Sequence, residues 1–184
     1  MQYTLNDILN RYNSGEKLDF VFFWKPYPNN RICESCLGQW WMSSFVIDGI
    51  RYNCAEQYMM AEKARLFDGN EKLLNEKIMV ETNPAKHREY GRMVQNYDDT
   101  IWNANRKNVV VKGNIAKFSQ NEQLKNYLLG TGNKILVEAS PYDNIWGIKM
   151  AANNNLILNP NNWKGQNNLG FALMEVRDIL RSEN

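Results

Sequence analysis

A short apolar run that ends at a proline constrains this chain more than any other feature. Residues 134–137 are rich in branched side chains, which is typical of a buried strand. Pro141 cannot donate to a β-ladder, so the strand ends before it. Asp143 and Trp146 follow, in a loop that runs to Gly147. A carboxylate and an indole on such a loop predict a ligand site. The alternative is a turn that Asp143 caps and an indole that covers the core.

Composition excludes several classes of protein. The chain has 184 residues, of which 43% are hydrophobic. That is enough for one good core, so we expect one domain over residues 1–184. The net charge of +2 gives no electrostatic basis for tight, sequence-independent binding to nucleic acid. No apolar run is long enough to span a membrane, and residues 1–7 have no signal-peptide pattern, so we expect a cytoplasmic protein.

Sulfur and imidazole ligands are scarce. Three cysteines, an odd number, argue against a disulfide framework. Cys33 and Cys36 form a CxxC pair in a loop over 25–36, and the chain adds only Cys54 and His87 as similar ligands. We therefore predict thiols in a loop rather than a metal site, and no cofactor. His87 stands among charged residues near a helix start, so we expect it to be solvated and a catalytic system built on histidine has little support.

The strand pattern is sparse. Asp19–Trp24 is predicted to be a strand, and Asp48-Gly49 between two apolar runs predicts a hairpin over 39–52. A further short strand is expected over 145–150. Residues 1–18 form an N-terminal helical extension in which Thr4 caps the helix.

Helices account for most of the remaining chain, so the predicted class is α+β: a helix-rich domain with a small sheet or hairpin. Asn53 and Asn83 are expected to cap two of the helices. Gly113 leaves open whether the longest is one helix or two. Apolar spacing places the helices over 54–67, 71–80, 86–94, 98–119, 121–129 and 169–181.

The helix over 54–67 carries charge on its apolar side. At roughly 100° per residue, Glu56 and Lys63 share a sector with Phe67, whereas Gln57 and Tyr58 lie opposite with the other polar side chains. Burial of an unpartnered charge costs several kcal/mol or shifts a pKa, so such groups indicate a site. The alternative is a shallow helix from which both side chains reach water.

Several motifs, in order, resemble the NADAR (YbiA-like) N-glycosidase family. They begin with the helix over 55–67 and Trp102. Met150 departs from the glycine that many members have there, and the stretch Cys36–Trp41 is found only in a subset of members. The resemblance covers about 22–180, and its other motifs are 117–121, 128–132, 137–147, 163–170 and 173–177.

This resemblance implies a YbiA-like α+β fold and cleavage of a ribose C1–N bond. Family substrates fall into two groups: ADP-ribose attached to guanine, and phosphoribosylated aminopyrimidines of riboflavin biosynthesis. We expect the guanine substrate, in nucleic acid or as a nucleotide. Expected partners are therefore DNA, contacted through the modified base, and an ADP-ribosyltransferase toxin for which this protein would be the antitoxin in a DNA repair role.

The expected catalytic residues are Lys63, Glu56 and Asp143. A desolvated Lys63 could attack the ribose and form an imine, and the two carboxylates could instead stabilise positive charge and activate water. Lys63 could also bind phosphate only as a point charge. Resemblance and residue chemistry together give the expected substrate-binding residues: Trp102, Trp146, Tyr58, Arg106, Ser140, Gly147, Asn168 and Arg177.

Two other classes of function remain open. A non-catalytic ADP-ribose-binding module would use the same aromatic and basic groups without turnover. A helix-rich interaction protein would have every tryptophan in its core. Release of product separates an enzyme from a binding module.

Overall fold

A computed structural model of the chain describes residues 3–25 and 31–183. Part of the loop expected over 25–36, residues 26–30, therefore lies outside the described residues. Gln39–Glu122 forms one compact unit, here called the central unit, and the segments before and after it form the other, here called the flanking unit. The expectation of a single domain over 1–184 remains a prediction.

Four short strands are interspersed among the helices. In chain order the elements are α1 (Leu5–Asn13), β1 (Phe20–Phe23), β2 (Met42–Ile47), β3 (Ile50–Cys54), α2 (Ala55–Leu66), α3 (Glu71–Leu73), α4 (Pro84–Gly91), α5 (Asp99–Ser119), α6 (Glu122–Gly130), β4 (Ile135–Glu138) and α7 (Asn168–Ser182). A 3₁₀ turn at Glu34–Leu37 contains Cys36, with Cys33 just before it; both are thiols. The predicted α+β class is confirmed.

The flanking unit is built on the parallel pair β1 and β4. Phe20 pairs with Ile135, and the register continues to Phe23 and Glu138. Ile135, Leu136 and Val137 are at most 1% exposed, so the buried strand is where the sequence predicts it. Helix α7 packs on β4.

The central unit contains the predicted hairpin. Asp48 and Gly49 both have positive φ, 52° and 77°, as a tight primed turn between β2 and β3 requires. The side-chain amide of Gln120 accepts from the backbone N–H of Val46 and donates to its carbonyl, both at 2.8 Å. Gln120, the residue that follows α5, thereby satisfies backbone groups of β2 that a sheet edge leaves unpaired.

Helix α2 differs from its prediction in two ways. It begins after Cys54, whose side chain makes no capping hydrogen bond, and the expected cap Asn53 instead donates its amide to the Glu81 carbonyl at 3.0 Å. Gln57 and Tyr58, assigned to the wet side, are 2% exposed. The first two turns are buried all round, because α4 and α5 both pack against this helix.

Three other expectations about local structure have clear outcomes. The strand over 145–150 is wrong, because the backbone turns there and Lys149 adopts a φ of 50°. The helix over 71–80 is interrupted, since α3 gives way to a π-helical turn at Leu74–Ile78. Helix α5 is continuous through Gly113, which packs against Tyr58: a Cβ at Gly113 would lie 2.5 Å from the Tyr58 ring.

His87 is buried, not solvated. Its side chain is 0% exposed, and neither ring nitrogen has a hydrogen-bond partner among the described residues. Burial lowers the pKa of His87 from 6.5 to about 4, against the smaller opposing effect of the Glu81 carboxylate. The imidazole is therefore neutral in the folded chain at neutral pH.

This burial predicts an acid-sensitive stability. Between pH 6.5 and about 4 the unfolded chain binds the His87 proton and the folded chain does not, so the free energy of unfolding falls as the pH falls through that window. The His87 contribution to the loss is up to about 3 kcal/mol. Urea unfolding of the wild type and of His87→Leu at pH 7 and pH 4.5 measures it. We expect a smaller loss in the variant; equal losses would contradict the assignment.

Candidate active site

The amine of Lys63 lies in a half-buried cage within the central unit. Its Nζ donates to the carbonyl of Gly91 at 2.8 Å. It also lies 4.2 Å from the ring centroid of Tyr97 and 5.7 Å from that of Trp102, both within cation–π range. Lys63 and Trp102, two of the predicted site residues, are therefore brought together, and Tyr97 joins them.

Close helix packing creates this cage. Gly91 is the last residue of α4, where carbonyl groups lack partners within the helix and favour a nearby cation. A Cβ at Gly91 would lie 2.0 Å from the sulfur of Met60, so a larger residue there would displace the Met60 side chain that packs between α4 and α2. Trp102 comes from the first turns of α5 and is 5% exposed.

Burial shifts the protonation of Lys63 toward the neutral amine. Burial lowers the pKa of Lys63 below its ordinary value; the Asp99 carboxylate opposes this effect and the Arg92 guanidinium adds to it. Arg106, a predicted substrate-binding residue, lies near enough to the Tyr97 hydroxyl to lower its pKa slightly, against the larger effects that raise it. The cage therefore holds an amine that is easier to deprotonate than an ordinary lysine.

Glu56 is buried in the first turn of α2. It is 7% exposed, its backbone N–H donates to the Gln39 carbonyl at 3.0 Å, and a helix N-terminus favours a carboxylate. Lys117, in the last turn of α5, is 0% exposed. Burial raises the pKa of the Cys54 thiol to about 12, with a further increase from Glu56 and a decrease from Lys117. A buried carboxylate and a buried amine thus act on one thiol.

Tyr58 belongs to an aromatic cluster in the central unit. Its ring lies 5.0 Å from Tyr52 and 6.2 Å from Phe45, and it is 2% exposed. Burial is the main cause that raises its pKa. The structure therefore gives Tyr58 a packing role; the predicted contact with substrate is untested.

Ser140, Asp143 and Trp146 are brought together in the loop after β4 of the flanking unit. The N–H groups of Ile145 and Trp146 both donate to Asp143 Oδ1 at 2.8 Å, and the N–H of Asp143 donates to Ser140 Oγ at 3.2 Å. Asp143 thus caps its own turn, which is the alternative to a ligand site that the sequence left open. Asp143 and Trp146 keep partly exposed side chains, so a role toward ligand remains a prediction.

Tight backbone packing fixes this loop. A Cβ at Gly147 would lie 2.8 Å from the Glu138 carbonyl, and one at Gly165 would lie 2.2 Å from the Gly147 carbonyl. Gly147 is thus required for close approach of the chain, whether or not it also meets substrate.

Arg177 and Asn168 have partners within the flanking unit. Arg177 is 1% exposed and donates from one Nη to Thr131 Oγ1 and to the Lys134 carbonyl, both at 2.8 Å. Burial lowers its pKa. Asn168, half-buried at the start of α7, donates to Gln166 Oε1 at 2.9 Å. Arg177 therefore supports the turn before β4, and the predicted phosphate contact stays a prediction.

Sequence reasoning left four polar or aromatic residues without a site role. Tyr97 stands in a turn and has no periodicity to mark it. Asn114 and Lys117 lie on the buried side of α5, where a helical pattern predicts apolar residues; Asn114 Oδ1 is buried and has no partner among the described residues. Asn167 is 0% exposed, and only its left-handed φ of 55° hints at special geometry.

None of the described helices has the length and apolar character needed to cross a membrane.

Known proteins match this chain over most of its length. Residues 22–181 match the NADAR domain family. N-glycosidase R617 of Acanthamoeba polyphaga mimivirus is 46% identical over 127 residues, 69% of this chain and 74% of that protein. N-glycosidase YbiA of Escherichia coli is 28% identical over 137 residues, 74% of this chain and 76% of that protein. The NMR structure of E. coli YbiA superposes with a TM-score of 0.70 at 26% identity, covering 90% of this chain and 86% of that one.

Proposed function

Because this chain belongs to the NADAR domain family, we propose that it is an N-glycosidase that hydrolyses the bond between ribose C1 and a base nitrogen. The relatives named N-glycosidase support the class of reaction. The observation that carries the assignment is the half-buried Lys63 amine, which contacts the Gly91 carbonyl and the rings of Tyr97 and Trp102. Lys63 lies on the same helix, α2, as the buried Glu56.

Lys63 is the proposed nucleophile. Its neutral amine attacks ribose C1, and the bond from C1 to the base nitrogen breaks as that nitrogen takes up a proton. The furanose ring opens to an imine on Lys63, and water hydrolyses this imine to release the sugar, which is ADP-ribose for the proposed substrate. The lowered pKa of Lys63 supports this route, because it increases the fraction of neutral amine. The hydrogen bond to the Gly91 carbonyl opposes it, since it favours the ammonium form.

Glu56 is the proposed proton donor and acceptor. A carboxyl group that is nearly excluded from water can protonate the leaving nitrogen and then accept a proton from the attacking water. Asp143 is the second proposed carboxylate, which stabilises positive charge at ribose C1. Its Oδ1 already accepts two backbone N–H groups, so its other oxygen is the one available for this role.

ADP-ribosylated guanine is the proposed substrate. Trp146 is partly exposed, and an aromatic face of this kind stacks on a base such as those of ADP-ribosylated guanine. A phosphoribosylated aminopyrimidine is the alternative substrate. The predicted phosphate contacts are Arg106 and Arg177, of which Arg106 is the more exposed.

The biological setting follows from this substrate. An enzyme that removes ADP-ribose from guanine in DNA would meet the duplex through one modified base, which the small net charge of +2 allows. It would act as the antitoxin to an ADP-ribosyltransferase, in the cytoplasm. A gene for such a transferase beside this one is the expected observation; riboflavin genes there would favour the aminopyrimidine.

A substrate panel tests the proposed function. Purified protein is incubated with ADP-ribosylated guanosine, with an oligonucleotide that carries ADP-ribosylated guanine, and with phosphoribosylaminopyrimidine. We expect release of ADP-ribose from the guanine substrates, and Glu56→Gln should bind them without turnover. Chromatography that shows no release from any substrate, together with retained binding of ADP-ribose, would instead identify a non-catalytic binding module.

A further inference from the structure

We propose that Tyr97 is a positioning residue for the site amine: its ring face holds Lys63 Nζ at the Gly91 carbonyl, and its hydroxyl fixes the ring to Asp99 at the start of α5. Only the catalytic consequence of this proposal rests on the proposed function. The contact itself can be tested without any substrate.

The distances support a direct hold on the amine. Nζ lies 4.2 Å from the Tyr97 centroid, well inside the roughly 6 Å range of cation–π attraction, and Trp102 is more distant at 5.7 Å. The 2.8 Å hydrogen bond to Gly91 sets a second direction. Lysine has a flexible four-carbon stem, so a ring face and a carbonyl together reduce the positions that its amine can take.

Tyr97 is itself fixed on two sides. Its hydroxyl donates to Asp99 Oδ1 at 2.8 Å, and its ring makes an edge contact with Phe67 at 5.4 Å. Burial, followed by the hydrogen bond to Asp99, raises the pKa of Tyr97 to about 12. The hydroxyl therefore remains a donor at any ordinary assay pH, and the ring keeps its orientation.

The exposure of Tyr97 argues against a purely structural role. Its side chain is 40% exposed, so its contribution to the core is limited and a substitution is compatible with folding. Four charged groups face this region: Asp99 and Arg92 act on Lys63, and Asp99, Arg106 and Asp98 act on Tyr97. They set the charge around the amine, whereas the ring sets its position.

Loss of the ring should therefore reduce catalysis more than binding. In Tyr97→Leu the amine regains rotational freedom and is less often placed for attack, so we expect kcat to fall about tenfold while KM changes by less than about threefold. Tyr97→Phe keeps the ring and loses only the hydroxyl. It should recover most of kcat, which a general packing defect would not predict.

Proton NMR of protein labelled at lysine Cε provides the spectroscopic signature. A methylene beside Nζ that lies over a ring face is shifted upfield by the ring current. The Lys63 signal, assigned by its absence in Lys63→Arg, should be upfield in the wild type and in Tyr97→Phe. It should return toward the ordinary lysine position in Tyr97→Leu. Tyr12→Leu, which removes a tyrosine from α1, should leave the signal unchanged.

Two results would overturn the proposal. One is a Lys63 signal that is the same in Tyr97→Leu as in the wild type. The other is a Tyr97→Leu enzyme whose kcat matches that of Tyr97→Phe. If the wild type shows no turnover on any substrate, the proposed function fails, and the NMR comparison still decides whether Tyr97 holds the amine. Thermal unfolding of each variant confirms that the compared proteins are folded.

Discussion

Lys63→Ala is expected to lower turnover by roughly 10³-fold or more, because it removes the proposed nucleophile from the site. The fold should persist, since the Lys63 side chain is only half-buried and the substitution favours a helix. Kinetics on ADP-ribosylated guanosine measure the loss. Urea unfolding, with an unchanged midpoint, shows that it is not due to unfolding.

Borohydride trapping and a Lys63→Arg variant distinguish a nucleophilic Lys63 from one that only binds phosphate. Borohydride added during turnover should reduce the imine, and mass spectrometry should find reduced ADP-ribose attached to the peptide that contains Lys63. Lys63→Arg keeps the charge but cannot form this adduct, so we expect it to be as inactive as Lys63→Ala. Substantial activity in Lys63→Arg, with no adduct in the wild type, would reject the nucleophile and leave water activated by Glu56 and Asp143.

The pH profile follows from the same residue. Burial lowers the pKa of Lys63, so the neutral amine appears at a lower pH than in an ordinary lysine. kcat/KM should therefore rise with pH through a midpoint below about 10.4, the value for an unperturbed lysine. A profile with no such rise would mean that the amine does not have to lose its proton.

Asn167→Ala is expected to cost roughly 4 kcal/mol of the free energy of unfolding. The fully buried amide of Asn167 accepts from the Glu138 N–H at 3.0 Å and donates to the Leu136 carbonyl at 2.9 Å. Alanine leaves both backbone groups of β4 buried without this partner. It also has to adopt the left-handed φ of 55° that asparagine tolerates better. The shift in the urea midpoint, at constant m value, measures the effect.

Two matched variants divide this cost. Asn167→Gly accepts the left-handed backbone but has no amide, so it should be more stable than Asn167→Ala by about 1 kcal/mol. Asn167→Asp keeps the oxygen that accepts from Glu138, but it directs a second oxygen at the Leu136 carbonyl, and it should also be destabilised. An Asn167→Ala midpoint within about 1 kcal/mol of the wild type would contradict a bridging role for this amide.

Local rules predicted the elements in which one strong signal decides the structure. The Asp48-Gly49 turn, the Thr4 cap of α1 and the Asn83 cap of α4 are all present. In each, the side chain or backbone conformation satisfies a turn or helix terminus without help from distant residues. The buried strand before Pro141 is also present, because a short run of branched apolar residues is a strong local signal for a strand.

Tertiary packing decided the elements that sequence reasoning missed. Tyr58 lies opposite the expected apolar stripe of α2, yet it is buried, because Gly113 lets α5 approach its ring. Asn53 is of a residue type that often caps helices, but its side-chain amide donates to the Glu81 carbonyl instead. His87 has charged neighbours in sequence and lies in the interior of the central unit. Helical periodicity could not predict these contacts, because each joins residues that are far apart in the sequence.

The residues of the candidate site that lie on one helix were predictable from the sequence, whereas their partners from other elements were not. Helical spacing placed Glu56 and Lys63 on the inner side of α2, and the structure has Glu56 buried and Lys63 half-buried. It could not identify Gly91 and Tyr97 as partners of Lys63, because a turn and a different helix supply them. The predicted substrate contact of Arg177 remains a prediction; in the structure its guanidinium donates to Thr131 and to the Lys134 carbonyl.

Cleavage of the bond between ribose and base is tested most directly by chromatography and mass spectrometry of guanosine that carries ADP-ribose, incubated with the purified protein. We predict equal amounts of ADP-ribose and unmodified guanosine from the wild type, and neither product from a Glu56→Gln, Lys63→Ala double variant that still binds the substrate. Intact substrate after prolonged incubation with folded wild-type protein, and with phosphoribosylaminopyrimidine equally unchanged, would contradict the assignment as an N-glycosidase.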